Sequence, residues 1–182
     1  MLMSIRNEKV EVERTFLDAD TSPIDYHKFG LEYWNGVRGK KWAPRWNEIS
    51  LMGFSPKVVP LISVTDITPE PLASVYRFWG TKLAEYHGGE YTGVSPTEVP
   101  PRQYGIANTG GCGRLVNEKK PHLEVKAFTT TRGTLGRVLI LRLPLSDDGE
   151  SVNHGVNIYC FESIIKNQPE VELFNAVFEN LK

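Results

Sequence analysis

The stretch from Leu135 to Leu145, LGRVLILRLPL, constrains this chain more than any other. It is nearly continuous apolar, as a central strand buried on both faces would be. Ser146-Asp147-Asp148-Gly149 follows as a hairpin turn signal. Ser151 to Glu162 then places Val152, His154, Val156, Ile158 and Cys160 on one face of a further strand. His122 to Arg132, with Leu123, Val125 and Ala127 on one face, precedes the apolar run. Three consecutive strands therefore occupy the C-terminal half.

Two more strands lie upstream, Leu61 to Ile67 and Ala73 to Trp79, parted by Thr68-Pro69-Glu70-Pro71. Proline cannot donate to a ladder, so that tetrapeptide is a turn. Helical spacing of Tyr26, Phe29, Tyr33 and Val37 predicts a helix over about 23 to 37. Ser22 with Asp25 resembles a capping box, Pro23 suits a first helical turn, and Gly36 and Gly39 end the element. Residues 40 to 59 read as an irregular linker. A short helix is expected from about Lys82 to His87, closed by Gly88-Gly89, and an amphipathic helix from Glu170 to Asn180. Residues 1 to 21 are charge-rich and read as an N-terminal arm, either loose or pairing with a partner chain; Val10, Val12 and Phe16 hint at a short strand there.

The segment from Pro101 to Lys119 is in conflict with itself. Tyr104, Asn108, Cys112 and Leu115 share one helical face, yet Gly105, Gly110, Gly111 and Gly113 lie in the same stretch. Each interior glycine costs a helix about 1 kcal/mol relative to alanine, so together they cost about 3 to 4 kcal/mol. A helix here should be short, broken or held by tertiary packing.

The resulting order is helix, two strands, helical region, three strands, helix. It predicts an α+β fold: a five-stranded antiparallel sheet with helices on one face, plus an N-terminal and a C-terminal helix. A chain of 182 residues suits one domain, here residues 22 to 182 with a core over about 60 to 163. A formal charge of −1, from 21 basic and 22 acidic side chains, gives no global pull toward nucleic acid or a membrane surface, and neither is an expected partner. No apolar run is long enough for a membrane helix, and the start lacks an apolar signal-peptide core. Cys112 and Cys160 make no metal spacing and no disulfide framework, so no metal is expected and a cytoplasmic setting is the simplest.

Several stretches carry a family resemblance. They are Tyr33-Trp34, Arg38-Gly39 and Pro44-Arg45; then Tyr76-Arg77-Phe78-Trp79-Gly80-Thr81 with Leu83, Glu85 and Gly88; then Thr92-Gly93; and most clearly Leu143-Pro144-Leu145-Ser146-Asp147-Asp148-Gly149. In their order and spacing, over about residues 24 to 163, they resemble a bacterial single-domain PAS group, formerly a domain of unknown function. The resemblance implies a sensory or protein-interaction module. PAS domains bind small molecules between sheet and helices, or dimerise, and pass the change to a partner. The expected partners are an unknown small molecule, a separate signalling protein and a second copy of the chain.

Gly111-Cys112-Gly113-Arg114 loosely resembles the cysteine motif of light-sensing PAS relatives. Those carry asparagine, cysteine and arginine consecutively, with amides on the later strands. Here glycines flank Cys112, and Leu135 to Leu145 contains no Asn or Gln. Haem needs an axial ligand such as His154 or His87, and a lone histidine in such places is commonly a hydrogen-bonded core residue. No cofactor is therefore expected, with haem and flavin as lesser alternatives. Gly110-Gly111 is followed by no Lys-Ser or Lys-Thr of a phosphate loop. A hydrolase would need Cys112 activated by a base such as His154. The favoured site is a small-molecule pocket with Tyr104, Asn108 and Cys112 on one wall and Trp79, Arg142 and His154 on the other, a lining suited to a compact polar or anionic ligand. Which sheet face Arg77, Arg142 and His154 occupy stays open, because a one-residue register error inverts them. The alternatives are an interaction module with a filled core and a small enzyme on an α+β fold; no catalytic residue is assigned.

Overall fold

The computed structural model describes residues 10–130 and 133–181. In chain order the elements are β1 (Val10–Asp18), α1 (Asp25–Arg38), β2 (Ile62–Thr68), β3 (Ala73–Trp79), α2 (Thr81–His87), α3 (Arg102–Glu118), β4 (His122–Thr130), β5 (Gly133–Leu145), β6 (His154–Phe161), α4 (Glu162–Ile165) and α5 (Glu170–Glu179). The strands form one antiparallel sheet in the order β1-β4-β5-β6-β2-β3. Thr131 and Arg132, expected at the end of the fourth strand, lie outside the described residues.

The sheet has six strands, not five. Val10–Asp18 pairs along its whole length with β4 of the same chain, from Val10 opposite Thr130 to Asp18 opposite His122. Five strands keep the expected two-plus-three division around a helical segment. The sixth covers what would be the open edge of β4.

Helices lie on both sheet faces, not one, and the near-continuous burial of β5 requires it. Val138, Ile140 and Arg142 point to one face, which packs with Leu83 of α2 and Tyr104 of α3. Leu141, Leu143 and Leu145 point to the other, against Trp34 of α1. Further along that second face, Leu139 packs with Leu123, Cys160 and Phe174 of α5. The flanking helices therefore close the back of the sheet, while α2 and α3 close the front.

Local details differ where tertiary contacts outweigh capping rules. α1 begins at Asp25 rather than 23, with Ile24 at its N-cap position. The Ser22 hydroxyl instead hydrogen-bonds the buried His27 ring at 2.8 Å and accepts weakly from the Ile24 amide at 3.4 Å. The Trp34 indole fastens α1 to the sheet, donating to the Pro144 carbonyl at 2.8 Å. The linker contains two short 3-10 turns, Trp46–Glu48 and Leu51–Phe54, the second of which buries Phe54. α3 is continuous over 17 residues despite its glycines, so packing holds it.

On α5, neighbouring side chains have opposite fates: Phe174 is fully buried and Leu173 is half exposed. Phe174→Ala should lower unfolding free energy by about 3–5 kcal/mol, the cost of emptying a buried aromatic site. Leu173→Ala should stay within about 0.5 kcal/mol of the parent. Urea denaturation followed by circular dichroism checks both.

Candidate functional site

The front face of the sheet carries a row of side chains unusual for a core. Strand register aligns His122, Arg142, Asn157, Ser63 and Trp79 across β4, β5, β6, β2 and β3. Two residues along β4 from His122 comes Glu124, and two further Lys126, which faces Arg14 of β1. α3 lies over this row with Tyr104, Asn108, Gly111, Cys112 and Leu115 turned inward.

Arg142 is the centre. Its Nε donates to Glu124 Oε2 at 2.5 Å, Nη1 to Asn157 Oδ1 at 2.7 Å, and Nη2 to Asn108 Oδ1 at 3.3 Å. Lys126 Nζ donates to the same Asn108 oxygen at 2.5 Å and stands 3.2 Å from Glu124 Oε1. Asn108 Nδ2 donates to the Tyr76 hydroxyl at 3.2 Å. Asn157 Nδ2 donates to Ser63 Oγ and Thr65 Oγ1, both at 3.1 Å. Arg142, Glu124 and Lys126 are each no more than 1% exposed. One helix residue, Asn108, thus accepts from both buried cations and is the side chain of α3 that joins the charged cluster.

The charges show the environment. Burial alone would raise the Glu124 carboxyl, but Arg142 and Lys126 hold it below the usual carboxylate range. Burial lowers Lys126 to about 8 even with Glu124 beside it. Arg142 stays charged, held by Glu124 against its own burial. The Cys112 thiol is pushed up, mainly by burial, so it is not an activated nucleophile.

Glycines make the close approach geometrically feasible. A Cβ on Gly111 would overlap Arg142 Nε and sit 2.7 Å from Glu124 Oε2. A Cβ on Gly110 would overlap the guanidinium of Arg14, whose Nη1 donates to the Ala107 carbonyl of α3 at 2.9 Å. Two arginines from different strands therefore occupy the space that two adjacent helix glycines leave.

Of the residues singled out from sequence, Asn108 and Arg142 are in direct contact, and Cys112 and Tyr104 lie on the same inward face of α3. Trp79 reaches the front face through a bulge. Val64 opposes Phe78 and Thr65 opposes Tyr76, so Arg77 is the extra residue and turns outward. Trp79 then stacks edge-on with Tyr76 at 4.6 Å and faces His87 at 5.2 Å. His154 is not brought to this site. It lies on the opposite sheet face in line with Val156 and Ile158, its ring nitrogens 2.7 Å from Asp66 and 2.8 Å from Asp147. Arg77 joins that outer cluster through Asp66 at 2.6 Å. Cys112 and His154 are thus separated by the sheet.

Sequence reasoning singles out His87 only as a possible haem ligand, and it misses Glu124, Lys126, Asn157, Ser63 and Arg14. Glu124 and Lys126 alternate with Leu123, Val125 and Ala127, which in an isolated strand marks a wetted face. The usable signal was the glycine pair in α3, which requires something bulky opposite.

Two outcomes test this geometry. Helix propensity alone would have both Gly111→Ala and Gly113→Ala add about 1 kcal/mol of stability. The Gly111 cradle predicts that Gly111→Ala destabilises instead. At Gly113 a Cβ meets only the Leu72 side-chain end at 3.2 Å, so Gly113→Ala should be neutral or stabilising by denaturant titration. Separately, burial first and the Lys126 charge second lower His87 from its ordinary 6.5 to about 3. Between those values the unfolded chain binds a proton at His87 that the folded chain does not, so stability falls as pH drops from 6.5 toward 3. His87→Phe should remove up to about 1.4 kcal/mol per pH unit from that slope, measured by urea titrations across the window.

No family model matches the chain, and no curated protein matches it. Among the described residues, no helix is long and apolar enough to cross a membrane. Among solved structures, one described as "Flavin Analogue Sheds Light on Light-Oxygen-Voltage Domain Mechanism" aligns with 66% of this chain and 87% of its own, at a TM-score of 0.40 and 12% sequence identity.

Proposed function

We propose that this chain is a sensory or adaptor module of the PAS type, in which α3, seated on a buried charged cluster, is the element that changes and a separate signalling protein reads the change. The observation that carries the reading is the Arg142–Glu124–Lys126–Asn108 cluster between sheet and helix. An apolar core of the same volume would commonly be as stable or more so, so such a cluster is better explained by a role than by stability. Its attachment to α3 is polar, through one asparagine. α3 is also the helix that its own glycines weaken.

The interior does not suit a flavin. The space beneath α3 is filled by Arg142, Glu124, Lys126 and Asn108 in mutual contact, with Tyr76 and Trp79 beside them. Nor does the geometry favour an enzyme, since Cys112 is buried with a raised pKa and His154 lies behind the sheet. The same filled interior favours a second reading, an interaction module that takes no ligand.

Native mass spectrometry of freshly purified protein, set against its denatured mass, separates the two. A ligand-sensing module should carry excess mass on the folded form, and removing it should speed hydrogen exchange of α3 amides by at least tenfold while β5 stays protected. A bare native mass, with α3 exchange unaltered by a small-molecule extract, would transfer the reading to the filled-core module. The spectrum also shows whether the folded chain is a dimer.

A further inference from the structure

Beside the charged cluster lies a second group of polar side chains, and its hydrogen bonds are missing. Both ring nitrogens of His87 and the indole nitrogen of Trp79 are fully buried without a hydrogen-bond partner. The Tyr104 hydroxyl, also buried, makes no well-formed hydrogen bond. The three rings are neighbours: His87 lies 5.2 Å from Trp79 and 4.9 Å from Tyr104, centre to centre. Buried polar groups in native proteins are nearly always satisfied, and an orphan loses its full hydration, so three adjacent residues in this state call for a partner.

That partner's chemistry follows from the groups present. Trp79 can only donate, neutral His87 offers one donor and one acceptor, and Tyr104 can do either. The set has more donors than acceptors. The surroundings are positive: the Lys126 ammonium stands 5.2 Å over the Tyr104 ring, and among the described residues Glu124 is the one carboxylate paired with the two cations Arg142 and Lys126. An acceptor-rich anion answers both the surplus of donors and the surplus of positive charge.

Resting on the sensory reading above, we infer that the Trp79–His87–Tyr104 group takes the carboxylate of a small organic acid, with the Lys126 side as its charge partner. The acid reaches the group when α3 lifts, the helix that four interior glycines weaken and whose polar ties to the sheet run through Asn108 and the Ala107 carbonyl. Arg14, which grips the Ala107 carbonyl, carries that movement to β1. The ligand therefore selects the position of α3 by binding one position better than the other.

The test uses the full chain and a series of straight-chain monocarboxylates, acetate to hexanoate, against the matching alcohols and sodium chloride of equal ionic strength. At one hundred times its Kd, a binding acid should raise Tm by about 5–10 °C while its alcohol does not. Tyr104→Phe and His87→Phe keep the rings and remove the hydrogen bonds, so each should weaken the acid at least tenfold; far-ultraviolet circular dichroism confirms that both fold. Equal effects of acid and alcohol would mean apolar filling and overturn the proposal. So would no response to any acid together with nitrogen-15 spectra placing a buried water on His87. A native-mass adduct that is not an acid removes this inference but leaves the sensory reading standing. A bare native mass with α3 exchange unmoved by acids or extract removes both.

Discussion

The ion pair between Arg142 and Glu124 is the interaction around which the front of this protein is arranged. Two charged groups on neighbouring strands, taken wholly out of water, need every remaining hydrogen-bonding position filled, because desolvation otherwise exceeds their attraction. Asn157 takes one arginine nitrogen and Asn108 another, while the far carboxylate oxygen, which accepts no hydrogen bond, is compensated by the Lys126 charge 3.2 Å away. Each of these must then be satisfied in turn, which recruits Ser63, Thr65 and Tyr76. The composition of one face of five strands and of one helix follows from that requirement.

The same pair accounts for the glycines of α3. A helix with a Cβ at position 111 could not approach a sheet carrying an arginine at 142, and one with a Cβ at 110 could not admit Arg14. The propensity lost at these positions is the condition for contact with the charged row. It also explains the strand at the N-terminus: β1 both covers the edge of β4 and delivers Arg14 to the helix backbone.

Much of this fold was legible in the chain, and the failures have specific causes. The apolar run from Leu135 marked a central strand because both of its faces are covered. Arg142 and Asn108 were legible as polar residues on otherwise apolar faces. Glu124 and Lys126 were not, since an alternating strand looks the same whether its polar face meets water or a charged cluster. Arg77 shows the limit of period-two reasoning: one bulged residue moved Trp79 to the front face and left Phe78 behind. His154 looked like a core residue by its neighbours Val152 and Val156, yet the apolar face it shares is the one turned to α1. The Ser22 cap failed because a buried histidine ring competed for the same hydroxyl.

Magnitudes then decide which element can move. β5 exchanges backbone hydrogen bonds on both sides and is buried on both faces, so it opens only with the whole domain. α3 carries a propensity deficit of about 3–4 kcal/mol from its glycines. Breaking a buried charged contact costs about 3–5 kcal/mol. The two terms are close in size and opposite in sign, and on the proposed sensory reading the cluster beneath α3 sets its seat. Any agent that adds or removes one hydrogen bond at Asn108, Lys126 or the neighbouring Tyr104 acts on that near-balance. On that reading, a change too small to unfold the sheet reseats the helix.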